Sequence, residues 1–200
     1  MYSKSLNIII GFHGCDKSVR DDIVTGKSLM KKSGNDYDWL GHGFYFWEKN
    51  LQRAKYFAKE KQKRNPDIIT EPAVLGALID LGYCLDLSDS ASLTLLKEFY
   101  IILKETYENQ GIILPVNQPV GNDLLLRNLD CAVIESVHTF NKDNNKQEFD
   151  SVRGVFWEGN ELYPNAGFKE KNHIQICIRN PNCIKGFFIP RELDNRYIIP

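Results

Sequence analysis

The residues of this chain best able to bind a metal or attack a substrate are its four histidines and five cysteines, and their spacing favours neither use. His13 and Cys15 stand two apart in an apolar segment, so on a strand both side chains leave the same face. That arrangement permits a Cys–His nucleophile pair, but nothing nearby in the sequence completes such a site. His13, His42 and His173 are candidates for a shared metal, yet no pair has the helical i,i+4 or zinc-finger spacing. The cysteines, Cys15, Cys84, Cys131, Cys177 and Cys183, are odd in number and contain no C-x-x-C. They are expected to be small buried hydrophobes, with Cys84 in the core. The stretch W-L-G-H-G-F-Y-F-W-E, residues 39–48, is the more informative feature. Gly41 and Gly43 flank His42 and four aromatic residues follow. A glycine-led core strand would account for it. So would a flat aromatic ligand lying against a closely approaching backbone. The triplet is not a phosphate loop, because it precedes a strand rather than opening a helix.

Composition limits the settings in which these residues work. A chain of 200 residues suits a single domain, here 1–200. Hydrophobic and charged contents of 42% and 26% are those of a globular protein, and a net charge of −1 gives no general attraction to nucleic acid. The apolar stretch near the amino terminus is too short for a signal peptide. No run approaches the roughly 20 apolar residues of a membrane helix. A cytoplasmic protein with no membrane partner is expected.

The elements that must position the aromatics alternate between strand and helix. Strands are expected at 5–14, 41–48, 71–87, 151–157, 173–179 and 183–189, from β-branched and apolar runs. Helices are expected at 16–29, with Asp16 as N-cap and Gly26 as the stop, and at 50–64, 90–107 and 123–140. In the second helix Leu51, Ala54, Phe57 and Ala58 share one face, and the lysines and arginines opposite read as solvated surface. In the third, Leu93, Leu96, Tyr100, Leu103 and Tyr107 repeat at helical spacing. In the fourth, Leu126, Leu129, Val133 and Phe140 point inward. Residues 30–38, 111–122 and 141–150 are loops, the first a polar one, and 158–172 is a long loop of the kind that often carries function.

Three short blocks in this order resemble the ADP-ribosyltransferases, specifically the histidine-tyrosine-glutamate branch that includes diphtheria toxin and the poly(ADP-ribose) polymerases. F-H-G at 12–14 resembles that branch's H-G. G-H-G-F-Y-F at 41–46 is similar to G-K-G-x-Y-F, and I-Q-I-C-I-R-N-P from Ile174 resembles the third signature, E-Y-I-V-Y-D-P. The resemblance implies an α+β fold with a split, mostly antiparallel sheet, flanking helices and an NAD cleft. It implies that His13 hydrogen-bonds the adenosine ribose and that Gly14 backbone groups hold the nicotinamide carboxamide. Tyr45 would stack on the nicotinamide ring, with Tyr37 or Trp39 on its other side and Gly43 allowing close approach. His42 is expected to point to solvent.

One position departs from the family. The third-block glutamate falls on Gln175, whose amide can hold a ribose hydroxyl but carries no charge and is no base. Removing a preorganised electrostatic partner costs about 10²- to 10³-fold in rate. Chain elongation is therefore not expected. The resemblance implies mono-ADP-ribosyl transfer from NAD, as substrate, to a protein or nucleic-acid acceptor. The alternatives are a catalytically silent NAD- or ADP-ribose-binding module and an RNA 2′-phosphotransferase-like enzyme. The last would need cations near the site, for which His42, Arg153, Arg179 and Lys185 are the candidates. Glu158, Glu161 and Glu170, in the loop before the third block, are candidates to replace the missing carboxylate.

Overall fold

A computed structural model of the protein describes residues 8–198. The first strand, β1 (Ile8–Asp16), starts inside the expected segment, and residues 5–7 lie outside those described. Asp16 then caps α1 (Lys17–Val24) by accepting from the Ser18 amide, as its residue type predicts. The aromatic segment forms β2 (Phe44–Glu48). Asn50 caps α2 (Leu51–Arg64), which buries Ala54 and Ala58 against the sheet. Next come β3 (Pro72–Asp80), β4 (Cys84–Asp86) and α3 (Ser90–Gln110). They are followed by β5 (Gln118–Val120), β6 (Asp123–Leu126) and α4 (Asn128–Asp143). The chain finishes with β7 (Ser151–Phe156), β8 (His173–Ile178) and β9 (Ile184–Phe188).

Seven of the strands make one sheet in the order β4-β7-β8-β2-β1-β3-β9, antiparallel throughout except for the β4–β7 pair. The chain passes from β3 to β4 through residues 81–83 alone, although the two strands stand five positions apart in that order. In a flat sheet those positions span about 24 Å, and the steps from Asp80 to Cys84 reach at most about 14 Å. The sheet therefore folds over. Its two halves face each other across Phe46, Ile176 and Ile178 on one side and Ala77 and Ile79 on the other. Gly11 sits at this crease, where a Cβ would stand 2.7 Å from Ile79 Cδ1 and 2.9 Å from Phe46 Cβ. The Ser151 hydroxyl closes the fold by donating to the Leu81 carbonyl at 2.6 Å. A second core, of Leu40, Leu85, Val133, Ile134, Val137 and Val152 among others, lies between the sheet and α3 and α4.

The structure departs from the sequence reading at several points. The expected strand 71–87 is two strands, broken at Gly82, whose φ is 61°. The expected helix 123–140 begins only at Asn128. The residues before it pair as β6 with β5, Val120 opposite Asp123, around a two-residue Gly121–Asn122 turn. Asn117 then caps α4 from outside by accepting from the Leu129 and Asp130 amides at 2.9 and 3.2 Å. On α3 the buried residue is Phe99, with Leu95, Leu96 and Leu103 packed beside it. Leu96 and Leu103 are as expected, but Leu93 and Tyr100 are 51% and 36% exposed, because the core-facing stripe is completed by Leu95 and Phe99 on its other side. On α4, Val133 is buried and Leu129 packs against the same core, but Phe140 faces partly outward. Cys84 lies on the edge strand β4 and is half-buried rather than in the core; the other four cysteines are buried. Among the described residues no helix is long and apolar enough to cross a membrane.

Candidate active site

β1 and β2 pair at only two positions, Gly11 with Glu48 and Phe12 with Trp47. Beyond them the strands part, and side-chain chemistry holds the seam. His13 Nδ1 donates to the Tyr45 carbonyl at 2.9 Å. A carbonyl can only accept, so Nδ1 carries the ring proton and Nε2 keeps its lone pair. Burial lowers the pKa of His13, against the Tyr45 bond and with the help of the nearby Lys61 charge, so the ring is neutral at neutral pH. The hydrogen-bond parity of β1 follows from its neighbours. Lys17 donates to the Glu71 carbonyl on the β3 side, and Lys49 donates to the Ile10 carbonyl on the β2 side. Even-numbered residues thus direct their amides and carbonyls toward β2. Gly14, opposite Val74, turns both backbone groups to the open seam.

The seam opens into a cleft of about 460 Å³. His13 lines it from β1, Gly43, Tyr45 and Trp47 from β2, and Gln175 from β8. The loop before β2 adds Asn35, Tyr37, Asp38 and Trp39. Phe57, Lys61 and Arg64 come from α2, and Leu125 and Leu126 from the β5–β6 hairpin. Six of the seven site residues expected from the sequence are thereby brought together from segments far apart in the chain. Gly14 is the exception and does not line the cleft. It must be glycine because a Cβ would collide with the carbonyl oxygen of Ala54 on α2.

Each wall has a physical cause. Gly41, with φ of 73°, makes the turn into β2. A Cβ on Gly43 would run into Cys177 Sγ and stand 2.6 Å from the Ile178 carbonyl oxygen, so it is β8 rather than a ligand that demands this glycine. Tyr45 Oη accepts from the Leu40 amide at 2.9 Å and donates to the Gly41 carbonyl at 2.6 Å, which locks the turn onto β2. Trp39 donates from Nε1 to the Leu125 carbonyl at 2.8 Å and carries the Arg127 guanidinium 4.5 Å above its ring. Phe156 packs 4.8 Å from it on the core side. Its indole is thus enclosed by protein, and its rear borders a second cavity of about 360 Å³ between α3 and α4. Tyr37 is 45% exposed and has no ring contact or hydrogen bond among the described residues, so of the two candidates it has the face available for stacking.

Gln175 sits in mid-sheet, between Trp47 on β2 and Gly154 on β7. None of the loop glutamates reaches the cleft beside it. Glu158 is buried and pairs with Arg53 at 2.8 Å, with His173 Nδ1 at 3.6 Å. Glu161 accepts from the Asn165 amide at 3.0 Å and Glu170 from the Asn160 amide at 3.3 Å, so both hold the loop itself. The cations expected near the site are also committed elsewhere. Arg153 bonds Glu48 at 2.6 Å and Asp86 at 3.0 Å, and Arg179 forks onto Glu135. Lys185 donates to the Asn182 carbonyl at 2.8 Å. His42 is not directed freely to solvent. Its amide donates to Glu135 at 2.7 Å and its ring stands 3.6 Å from the same carboxylate. The cations that do line the cleft are Lys31, Lys61 and Arg64, and none of them has a carboxylate partner among the described residues. The sequence signal for Lys61 and Arg64 was the basic face of α2, but a helical repeat alone does not show which end of that face overhangs the seam.

Cys15 is no nucleophile. Burial pushes its thiol up to about 11, and the His13 proton is engaged with Tyr45. Among the described residues no group of three or more His, Cys, Asp or Glu side chains is placed to hold a metal ion.

The geometry defines an α+β protein whose mixed, mostly antiparallel sheet is flanked by helices and parted at one seam around an aromatic cleft. The chain is 25% identical over 193 residues to an uncharacterized protein of Methanocaldococcus jannaschii, an alignment covering 87% of this chain and 83% of that protein. No protein-family profile matches the chain, and no solved structure matches it.

Proposed function

We propose that the protein is a mono-ADP-ribosyltransferase of the ADP-ribosyltransferase superfamily that uses NAD as substrate and a macromolecule as acceptor. The observation that carries this reading is the convergence of three distant sequence blocks, through His13, Tyr45 and Gln175, on one cleft at the parted seam. The chemistry of the lining fits the dinucleotide. His13 Nε2 offers a lone pair to a ribose hydroxyl. Gly14 is not itself part of the lining, but its backbone turns a donor and an acceptor toward the seam, the pair a carboxamide requires. Tyr45 and Tyr37 supply aromatic faces, and Lys31, Lys61 and Arg64 supply positive charge for a pyrophosphate.

A second reading, a silent NAD- or ADP-ribose-binding module, is favoured by one observation: the amide of Gln175 stands where the family has its carboxylate, and Glu158, Glu161 and Glu170 are occupied elsewhere. RNA 2′-phosphotransfer finds less support, because Arg153, Arg179 and Lys185 do not line the cleft. The deciding experiment is incubation of the protein with NAD while nicotinamide release and thermal stability are followed. A ligand bound by the native state alone raises the melting temperature by mass action. The transferase reading expects both a shift and release, and the binding module a shift without release. Absence of a shift at millimolar NAD would show that the cleft is not a dinucleotide site.

A further inference from the structure

Among the described residues three carboxylates are buried, Asp16, Asp38 and Glu158. Two have an evident structural occupation. Glu158 neutralises the buried Arg53. Asp16 caps α1 and accepts from Ser18, Thr70 and Glu71. Asp38 is different. It is 9% exposed, its carboxylate has no cation partner among the described residues, and both of its side-chain hydrogen bonds come from one residue. The Asn35 amide donates to Oδ2 at 3.0 Å, and Asn35 Nδ2 donates to Oδ1 at 3.2 Å. A buried carboxylate without a counter-charge is costly and uncommon. It persists here because its backbone is fixed: the Asp38 amide donates to the Asn35 carbonyl at 3.1 Å, and the Gly41 amide to the Asp38 carbonyl at 3.3 Å. Tyr45 Oη in turn pins residues 40 and 41.

Among the described residues Asp38 is also the one carboxylate lining the cleft, whose walls include Tyr37, Trp39 and Tyr45 and the cations Lys31, Lys61 and Arg64. A fixed, unpaired negative charge beside aromatic side chains is an environment suited to a flat, delocalised cation. Its charge is felt across the site: burial is the main cause of the raised pKa of the Tyr45 hydroxyl, and Asp38 adds to it.

We propose that Asp38 is a catalytic residue, supplying the negative charge that Gln175 lacks. The inference rests on the NAD-cleaving reading above. In the ground state the carboxylate faces the pyridinium of the bound dinucleotide. The bond between the ribose C1′ and the ring nitrogen then breaks, and its electron pair leaves with neutral nicotinamide. The positive charge passes to the ribose as an oxocarbenium, which Asp38 stabilises. Water or an acceptor oxygen attacks C1′, and its proton goes to solvent. Gln175 keeps only the task of holding a ribose hydroxyl.

The test compares parent, Asp38→Asn, Gln175→Glu and the Asp38→Asn/Gln175→Glu double variant for nicotinamide release and for NAD-induced thermal shift. Asparagine keeps an acceptor for the Asn35 amide and removes the charge, at the cost of the weaker bond from Asn35 Nδ2, which then meets an NH2 group. Release by Asp38→Asn is expected to fall about 10²- to 10³-fold while an NAD shift persists. Gln175→Glu in that background is expected to restore release at least about 10-fold. A second measurement needs no variant. The cation 1-methylnicotinamide is expected to raise the melting temperature of the parent more than neutral nicotinamide does at equal concentration. An Asp38→Asn protein that releases nicotinamide at the parental rate overturns the proposal. So does equal protection by the two pyridines, or a parent that binds NAD without cleaving it. A parent that shows neither an NAD shift nor nicotinamide release instead removes the NAD reading itself.

Discussion

His138 makes the stability of this protein acid-sensitive in a way that a single substitution can isolate. It lies on α4, 2% exposed, with neither ring nitrogen hydrogen-bonded. Its ring meets Phe149 edge-on at 6.0 Å. Burial lowers its pKa from 6.5 to about 3; the charges of Arg179 and Lys32 act in the same direction and Glu135 against it. The unfolded chain therefore takes up this proton first as the pH falls. The contribution is fully present above about pH 6.5 and is lost progressively down to about pH 3. The slope approaches about 1.4 kcal/mol per pH unit, which amounts to about 2 kcal/mol at pH 5. Urea denaturation of the parent and His138→Leu between pH 7.5 and 4.5 measures it, with both proteins at the same ionic strength. The two stabilities should diverge by about 2 kcal/mol between pH 7.5 and 5, with the leucine variant losing less. At neutral pH the variant should be close to the parent, since an unbonded buried donor and acceptor are removed together. Parallel loss in both proteins over that range would show that His138 is hydrated or bonded in solution and that its burial does not set its pKa.

Four further outcomes follow from packing and charge. Gly14→Ala places a methyl group against the Ala54 carbonyl and 3.1 Å from the Ala58 nitrogen, and should cost about 1–3 kcal/mol in urea denaturation. Glu158→Leu leaves the buried Arg53 without its 2.8 Å partner and should cost about 3–5 kcal/mol, whereas Arg53→Met with Glu158→Leu should cost less than the single change. Tyr45→Phe keeps the ring but strands the Leu40 amide; it should lower stability by about 1–3 kcal/mol and shrink the NAD-induced thermal shift. Tyr163 and Phe168, 56% and 60% exposed on the loop before β8, should matter to the acceptor: changing both to serine should reduce labelling of the macromolecule more than NAD hydrolysis, as read from radiolabelled NAD.

Much of the fold was legible in the sequence because it is encoded locally. β-branched runs marked most strands, Ala54 and Ala58 marked the buried face of α2, and Asp16 marked the start of α1. What was illegible depends on distant partners. The run from Pro72 to Leu85 is apolar but for Asp80, and the Ser151 and Asp150 contacts on either side of Gly82 divide it into strands on opposite halves of the sheet. The β5–β6 hairpin was hidden because Leu124, Leu125 and Leu126 merge with the helical pattern of α4, although Gly121–Asn122 is a hairpin turn signal.

The candidate site divides along the same line. His13, Tyr45 and Gln175 stood out because each falls in a short block that resembles a signature of the ADP-ribosyltransferases. Asp38 did not, because residues 30–38 read as a polar loop and nothing local buries them. Of these only Asp38 is buried, on a loop that α4 holds through Cys131 Sγ, 3.6 Å from the Asn35 carbonyl, and that β6 holds through the Leu125 carbonyl bonded to Trp39. Tyr45 links the legible part to the hidden one. Its carbonyl orients His13 across the seam and its hydroxyl fixes residues 40 and 41. The neutral acceptor on β1 and the buried charge on the loop are thus set relative to each other through one residue of β2. Loosening that residue should disturb recognition of a ribose and of a pyridinium together.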